Sequence, residues 1–309
     1  MPGVAVLCGG VGAARLLAGL VRTVPPTDVT AIVNTADDMV LHGLTISPDL
    51  DTVVYTVAGA IDPERGWGLR DETWQAMATL ERYGGATWFG LGDRDLGTHL
   101  FRTQRLAEGA TLSEVTAEVA AGWDLALRIV PVTDDPLRTM ITLAGSGEEV
   151  AFQDYFVARQ HAVPVAAVRV AGAAEATPAS GVLEALATAE TVIVAPSNPI
   201  VSIGPVLAVP GVREAVTARR DRVVAISPLV GGRALKGPAD RLLRELGHDD
   251  SVVGVAELYA PFAGTLVVDT ADAHHADAVR AAGLRCVVTD TIMRDPDAAS
   301  ALCAVALGL

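Results

Sequence analysis

Four carboxylates stand close together in the segment 34–52, where the chain leaves a predicted buried strand. They are Asp37, Asp38, Asp49 and Asp51. A protein core does not need them, because unpaired carboxylates are rarely buried. Mg²⁺ is usually held by one or two carboxylates together with phosphate oxygens, so this pattern predicts a site for a divalent cation and a phosphorylated substrate. A solvated acidic loop is the alternative that the pattern leaves open.

A glycine-rich turn follows the first predicted strand, which covers residues 4–7. Gly9, Gly10 and Gly12 lie between that strand and the next predicted helix, where backbone N–H groups can bind a phosphate. The pattern Gly-x-Gly-x-x-Arg ends at Arg15 and lacks the third glycine of the dinucleotide fingerprint. A tight strand–helix turn without a ligand therefore stays open as an alternative.

Two more polar loops follow predicted strands in the second half of the chain. The loop 196–205 is dense in Pro, Ser, Asn and Gly, and the loop 227–238 is rich in glycine without the spacing of a Walker A motif. The carboxyl ends of parallel strands meet at one edge of a sheet, so these loops, the glycine turn and Asn34 are predicted to bind a nucleotide diphosphate there. The candidate contacts in the two loops are Ser197, Asn198, Ser202, Gly231 and Lys236.

A charged block enters a predicted helix in the first third of the chain. It reads Gly92-Asp93-Arg94-Asp95, and His99 follows it. Three charged side chains and a nearby histidine suggest a second substrate site. A helix-capping aspartate beside a surface Arg–Asp pair is the alternative.

The order of predicted elements indicates an α/β protein with a Rossmann-like, three-layer parallel sheet. Residues 1–92 and 164–309 are predicted to form the nucleotide- and metal-binding core. Residues 93–163 are predicted to form a smaller insertion of helices and a hairpin over the active edge, after which the α/β order resumes with a strand over 165–170.

Composition excludes several classes of protein. Half of the 309 residues are hydrophobic, which supports a large core, and the net charge of −14 argues against a nucleic-acid or anionic-membrane partner. The three cysteines lie far apart without zinc spacing, which is typical of reduced thiols. No signal peptide or membrane-spanning run is predicted, so a cytoplasmic location is expected.

These motifs together resemble the 2-phospho-L-lactate transferase (CofD) family of coenzyme F-420 biosynthesis. The resemblance extends over nearly the whole chain in order, and its acidic blocks are the most distinctive part. The matching segments are Gly9-Gly10-Val11-Gly12, Asn34-Thr35-Ala36-Asp37-Asp38, Ser47-Pro48-Asp49-Leu50-Asp51-Thr52, Gly66-Trp67-Gly68, Gly92-Asp93-Arg94-Asp95 with Thr98-His99, Ala195-Pro196-Ser197-Asn198-Pro199, Ser202-Ile203-Gly204-Pro205 and Ser227-Pro228.

The resemblance implies a transfer reaction on the deazaflavin Fo. The ribitol hydroxyl of Fo would attack the phosphorus of a guanosine-diphospho-linked three-carbon acid and release GMP. The acid would be enolpyruvyl, which the Ala/Arg-rich composition favours, or lactyl. A guanylyltransferase would supply the donor, and the protein would be a homodimer.

The resemblance also implies roles for single residues. Mg²⁺ would be held by Asp37 and Asp51. Asp51 or Asp38 would lie near the attacking hydroxyl, and whether Asp51 is a metal ligand or a general base stays open. Asp51, Arg94 and His99 would contact Fo or the acid.

Two other classes are weighed against this hypothesis. A non-catalytic, nucleotide-sensing regulator of the CofD-like type would keep the glycine turn and Asn34 but lack the deazaflavin site. An NAD(P)-dependent oxidoreductase is suggested by the strand, glycine turn and helix alone, but the incomplete fingerprint argues against it.

Overall fold

A seven-stranded parallel sheet forms the centre of the protein, as the sequence predicts. The computed structural model describes residues 3–309, which contain fourteen strands. In chain order the strands are β1 (Val4–Cys8), β2 (Val29–Val33), β3 (Met39–Leu41), β4 (Leu44–Ile46), β5 (Arg128–Pro131), β6 (Arg138–Leu143), β7 (Glu149–Ala151), β8 (Val165–Ala171), β9 (Thr191–Val194), β10 (Val223–Ile226), β11 (Leu229–Val230), β12 (Arg233–Ala234), β13 (Thr265–Asp269) and β14 (Arg285–Thr289).

Helices cover both faces of this sheet, whose strand order is β14-β13-β10-β9-β1-β2-β5. Short 3₁₀ and π turns also occur, and residues 3–309 include no helix long and apolar enough to cross a bilayer. The α-helices are α1 (Gly10–Thr23), α2 (Pro48–Val57), α3 (Gln75–Arg82), α4 (Asp95–Ala107), α5 (Leu112–Gly122), α6 (Val182–Thr188), α7 (Gly204–Ala208), α8 (Val212–Thr217), α9 (Ala239–Glu245), α10 (Val252–Tyr259), α11 (Ala276–Ala281) and α12 (Pro296–Leu307).

The central strand β1 shows why the protein has three layers. Its residues are all buried, because a parallel strand is covered by helices on both faces. Ala5 and Leu7 belong to the hydrophobic cluster on one face of the sheet, whereas Val6 and Cys8 belong to the cluster on the other. This alternation follows from the two-residue period of a strand.

Two strands near the predicted insertion differ from the expectation. The segment 93–163 contains β5, which pairs in parallel with β2 as the edge strand of the central sheet and is therefore not part of an insertion outside it. The strand predicted over 165–170 forms as β8, but it pairs antiparallel with β6 in a separate sheet of order β7-β6-β8. Most residues of β8 are exposed or half-buried, unlike those of a central strand. The division of the chain near residues 93 and 163 stays a prediction.

The first helix packs closely against the last one, and a glycine makes this contact possible. A Cβ added to Gly19 of α1 would lie 2.5 Å from the carbonyl carbon of Ala299 in α12. The Ser300 hydroxyl donates a hydrogen bond to the Gly19 carbonyl oxygen at 3.2 Å. The two helices therefore meet backbone to backbone, which holds the chain terminus on the sheet.

We predict that Gly19→Ala lowers the free energy of unfolding by about 1–3 kcal/mol, because overpacking outweighs the better helix propensity of alanine. Gly97→Ala in α4 is the matched control, since a Cβ there would meet no atom within 4 Å. The control is expected to be neutral or stabilising by up to about 1 kcal/mol. Urea denaturation measures both changes, and equal effects would contradict the close contact.

Candidate functional site

The loops that follow β1, β2 and β9 meet at the carboxyl edge of the central sheet. The Ser197 hydroxyl donates to the carbonyl oxygen of Gly9 at 2.5 Å. Asn34 Nδ2 donates a hydrogen bond to Asp49 Oδ2 at 3.0 Å. Asn34 Oδ1 accepts one from the Ala36 N–H. The predicted convergence of these loops is therefore present, and direct hydrogen bonds maintain it.

The glycines of the first loop are required by close packing. A Cβ on Gly9 would lie 2.5 Å from Ser202 Cβ and 3.3 Å from Asp49 Oδ2, and a Cβ on Gly12 would collide with the Pro196 carbonyl oxygen. Gly10 has φ +69°, a left-handed conformation that favours glycine. The absence of side chains at Gly9 and Gly12 thus allows the loop 196–205 and Asp49 to pack against the start of α1.

Three buried carboxylates form an acidic cluster at this edge: Asp37, Asp38 and Asp49, each less than a tenth exposed. The Ser47 hydroxyl donates to Asp38 Oδ2 at 2.6 Å. The Oδ1 atoms of Asp37 and Asp38 are both buried without a hydrogen-bond partner among residues 3–309. Buried polar atoms are normally satisfied, so these oxygens are suited to bind a cation or a proton.

The protonation of the acidic cluster reflects its burial and its crowding. Burial, and then the charge of Asp49, raises the pKa of Asp37 well above its ordinary value. Burial raises the pKa of Asp38 to about 7, although the Ser47 hydrogen bond opposes the shift. Burial raises the pKa of Asp49 to about 6. The cluster therefore holds protons near neutral pH unless a cation neutralises it.

A second cluster lies between α2 and α4, and it contains its own cation. Both guanidinium nitrogens at the end of Arg102 bind the two carboxylate oxygens of Asp51, with Nη1 3.1 Å from Oδ2. His99 lies beside the pair, with Nδ1 3.7 Å from Asp51 Oδ2 and Nε2 3.4 Å from Asp95 Oδ2. Asp51, Arg102 and His99 are nearly inaccessible to solvent. Ligand atoms of Asp51, Asp95 and His99 all lie within 4.8 Å of one another.

Tyr55 extends this second cluster into α2. Its hydroxyl lies 2.7 Å from both Asp95 Oδ1 and Thr98 Oγ1, so it donates to the carboxylate and can accept from the threonine. Asp95, His99 and Arg102 are spaced i, i+4 and i+7 on α4, which places them on one face of that helix. Sequence reasoning included Asp95 in the charged block but missed Arg102 and Tyr55, although the spacing on α4 is a signal that could have found Arg102.

The block Gly92-Asp93-Arg94-Asp95 contains residues with different roles. Asp93 accepts hydrogen bonds from the N–H groups of Gln75 and Ala76 and so caps α3, which is not the helix that the block enters. Arg94 is exposed, and its Nη1 donates to the Arg70 carbonyl oxygen at 2.6 Å. Arg94 is therefore accessible to a substrate, whereas His99 is enclosed by carboxylates.

Other predicted nucleotide contacts have structural partners. The side-chain oxygen of Asn198 accepts from the Ile200 N–H at 2.9 Å and caps the π-helical turn Pro199–Ile203. The N–H of Gly231 donates to Asp272 Oδ2 at 2.8 Å. Lys236 is exposed on the same loop as Gly231. Nucleotide contacts by these residues stay a prediction.

The fold and the site define an α/β protein with an acidic, glycine-lined site at the carboxyl edge of its sheet, where such proteins bind their ligands. A family model described as 2-phospho-L-lactate transferase CofD matches residues 4–303. The chain therefore belongs to the CofD family, which is a family of transferases.

The sequences of individual relatives match this chain over nearly their whole length. A phosphoenolpyruvate transferase of Streptomyces griseus is 45% identical over 312 residues, which cover 99% of this chain and 98% of that protein. A phosphoenolpyruvate transferase of Mycolicibacterium smegmatis is 39% identical over 320 residues, with 99% and 98% covered. Among solved structures, a UPF0052 family protein of Bacillus halodurans covers 99% of this chain and 98% of that chain with a TM-score of 0.64 at 18% identity, which supports the fold.

We predict that Arg102→Met lowers the free energy of unfolding by about 3–5 kcal/mol, because it leaves the buried carboxylate of Asp51 without a partner. Arg105→Met on the same helix is the matched control. Arg105 pairs with Glu108 and Glu118 at the surface, so its loss should cost less than about 1 kcal/mol. Guanidinium denaturation compares the two variants, and a small, equal loss in both would contradict the importance of the buried pair.

The raised pKa of Asp38 predicts a pH dependence of stability. The unfolded chain loses this proton near the ordinary pKa of 3.8, whereas the folded protein keeps it up to about pH 7. The free energy of unfolding therefore falls as the pH rises from about 4 to about 7. Between about pH 5 and pH 8 in EDTA, Asp38→Asn should gain on the order of 2 kcal/mol relative to the wild type, since one pKa unit corresponds to about 1.4 kcal/mol.

Asp62→Asn is the control for this pH series. Hydrogen bonds from the Arg65 and Glu64 N–H groups lower the pKa of Asp62, so it is ionised in both states above about pH 5. The difference between this variant and the wild type should not change over the same range. A flat difference for Asp38→Asn as well would show that Asp38 is ionised in the folded protein.

Proposed function

We propose that this protein transfers a phosphoenolpyruvyl group from its GMP-linked diphosphate donor to the ribitol hydroxyl of Fo, releasing GMP and forming dehydro-F-420-0. Membership of the CofD family and relatives named phosphoenolpyruvate transferase support the proposal. The structural observation that carries it is the pair of unpartnered carboxylate oxygens on Asp37 and Asp38, beside the glycine turn. A diphosphate with its cation suits such an edge, because the cation neutralises the carboxylates and the diphosphate together.

Mg²⁺ fits the residues present in the acidic cluster. Asp37 keeps a buried oxygen without a hydrogen-bond partner among residues 3–309, and the charge of Asp49 acts on it more strongly than that of Asp38. Asp51 was predicted as the second ligand, but Arg102 binds both of its oxygens. Asp37 and Asp49 are therefore the residues proposed to hold the ion. When bound, Mg²⁺ would supply neutralisation of the charge that develops on the diphosphate.

The side chains of this chain supply positioning and proton transfer, which are what phosphoryl transfer requires. The ribitol oxygen of Fo forms a bond to the phosphorus that bears the enolpyruvyl group, and the bond from that phosphorus to the bridging oxygen of GMP breaks. The hydroxyl proton passes to Asp38 Oδ1, which has no hydrogen-bond partner among residues 3–309. Burial raises the pKa of Asp38, which favours proton uptake by this carboxylate. Arg94 would bind Fo or the carboxylate of the acid, because a guanidinium fork matches a carboxylate.

The second cluster would hold these groups in place. Asp51 lies in the first turn of α2, two residues after Asp49. Its bond to Arg102 connects that helix to α4, which begins directly after Arg94. Asp51 and His99 then contribute to the Fo site by fixing its walls. A guanylyltransferase would supply the unstable donor, and the protein would act as a cytoplasmic homodimer.

The proposal predicts GMP release that depends on Fo. The protein is incubated with Fo, Mg²⁺, GTP, the partner guanylyltransferase and either phosphoenolpyruvate or 2-phospholactate, and nucleotides and deazaflavins are separated by chromatography. Phosphoenolpyruvate should give GMP and a new deazaflavin product, and Asp38→Asn should lower kcat by about 10²- to 10⁴-fold. No product with either acid would reject the transferase, and saturable nucleotide binding without product would favour the regulator.

Asp277→Asn is the matched activity control, because this side chain is exposed and its one ion pair among residues 3–309 is with Arg280. The metal is tested separately by electron paramagnetic resonance of Mn²⁺. Asp37→Asn should weaken Mn²⁺ binding by about tenfold or more, since it removes a charged ligand. Unchanged Mn²⁺ binding in Asp37→Asn would assign the ion to other residues.

A further inference from the structure

The loop after β10 forms a small hairpin of β11 and β12. Its strands pair antiparallel, with Leu229 opposite Ala234 and Val230 opposite Arg233. The turn consists of Gly231 and Gly232, with φ of +60° and +73°. Two successive left-handed residues are typical of a tight hairpin turn, and glycine adopts them without strain. Such a short hairpin needs an external contact to hold it.

A buried carboxylate from another part of the sheet supplies that contact. Asp272 lies in the 3₁₀ turn Thr270–His275 after β13 and is 1% exposed. Its Oδ2 accepts from the Gly231 N–H at 2.8 Å, and its Oδ1 accepts from the Gly232 N–H at 3.1 Å. Hydrogen bonds to an ionised acceptor are stronger than neutral ones. Both N–H groups of the turn are thereby occupied, so neither is free to bind an anionic ligand.

The side chain best placed for this is Lys236, directly after the hairpin. A Cβ added to Gly66 would lie 2.6 Å from Lys236 Nζ, so the ammonium group touches the loop that carries Gly66. Burial and then the charge of Arg15 lower the pKa of Lys236. Within residues 3–309, neither Lys236 nor Arg15 has a carboxylate oxygen within 4.0 Å. The charge of Lys236 therefore lies beside the loop that carries Gly66, without a carboxylate partner in the described part of the chain.

We propose that Asp272 is a positioning residue for the donor nucleotide: it fixes the hairpin so that Lys236 binds the diphosphate. This inference rests on the proposed function. Asp272 itself touches no substrate, since its carboxylate is buried against the turn. Its effect is to keep the cation in place before the donor arrives.

The expected change in the Kd for GDP follows from the fraction of molecules in which the hairpin is ordered. A ligand that binds only the ordered form has an apparent Kd that rises in proportion as that form becomes rarer. Asp272→Asn keeps one acceptor oxygen but places an NH₂ group opposite the second N–H. The loss of one such hydrogen bond shifts the equilibrium between the ordered and the disordered hairpin by about 10- to 100-fold.

Calorimetric titration with GDP in the presence of Mg²⁺ tests this inference on the full chain. Asp272→Asn should raise the Kd for GDP about tenfold or more, while the Kd for Fo, followed by its fluorescence, stays unchanged. In the transfer assay KM for the donor should rise with little change in kcat. Hydrogen exchange of the hairpin amides, residues 229–234, should become faster. Asp277→Asn on the same connection is the control and should match the wild type.

Lys236→Met tests the route through which Asp272 acts. It should weaken GDP binding, and the double variant with Asp272→Asn should be little weaker than Lys236→Met alone. Full additivity would overturn the route through Lys236. Wild-type affinity for GDP in Asp272→Asn, or an equal loss of GDP and Fo binding, would overturn the positioning role.

Failure of the wild type to bind GDP is distinguishable from these results, because it would reject the proposed function together with this inference. If Asp272→Asn does not fold, the wild type alone still decides the question. GDP should then slow the exchange of the hairpin amides in the wild type. Unchanged exchange on GDP binding would overturn the inference.

Discussion

The buried ion pair between Asp51 and Arg102 is the interaction on which the site depends. Two opposite charges were removed from water here, and only their close, two-pronged contact compensates for that cost. Because Asp51 belongs to α2 and Arg102 to α4, the pair fixes the distance between two helices that carry different parts of the site. His99 and Asp95 are packed around it, so the pair also sets their positions.

The two acidic clusters differ in how their charge is balanced. The cluster of Asp51, Asp95 and His99 contains Arg102, whose guanidinium binds both carboxylate oxygens of Asp51. The cluster of Asp37, Asp38 and Asp49 has no cation of its own in the part of the chain that the structure describes, and burial raises its pKa values. The cluster around Asp51 is thus suited to stabilise the fold, and the cluster around Asp37 is suited to bind a charged ligand. A transferase of diphosphate donors needs both properties.

Much of the fold could be predicted from local sequence. Continuous apolar runs marked the buried parallel strands, and the strand predicted over residues 4–7 is β1. The edge position of β5 could not be predicted, because strand order depends on pairing between distant segments. In the site, Asp37 and Asp38 were found from their place after β2, whereas Arg102 and Tyr55 were missed because their partners are far away in sequence.

The charged block at residues 92–95 affects how α3 and α4 unfold. Asp93, which precedes α4, caps the first turn of α3, and Glu72, which precedes α3, accepts from the N–H groups of Arg94 and Asp95 at the start of α4. Each helix therefore depends on the segment before the other for its cap. The two helices should melt together as one cooperative unit, and Arg94 lies at the joint between them.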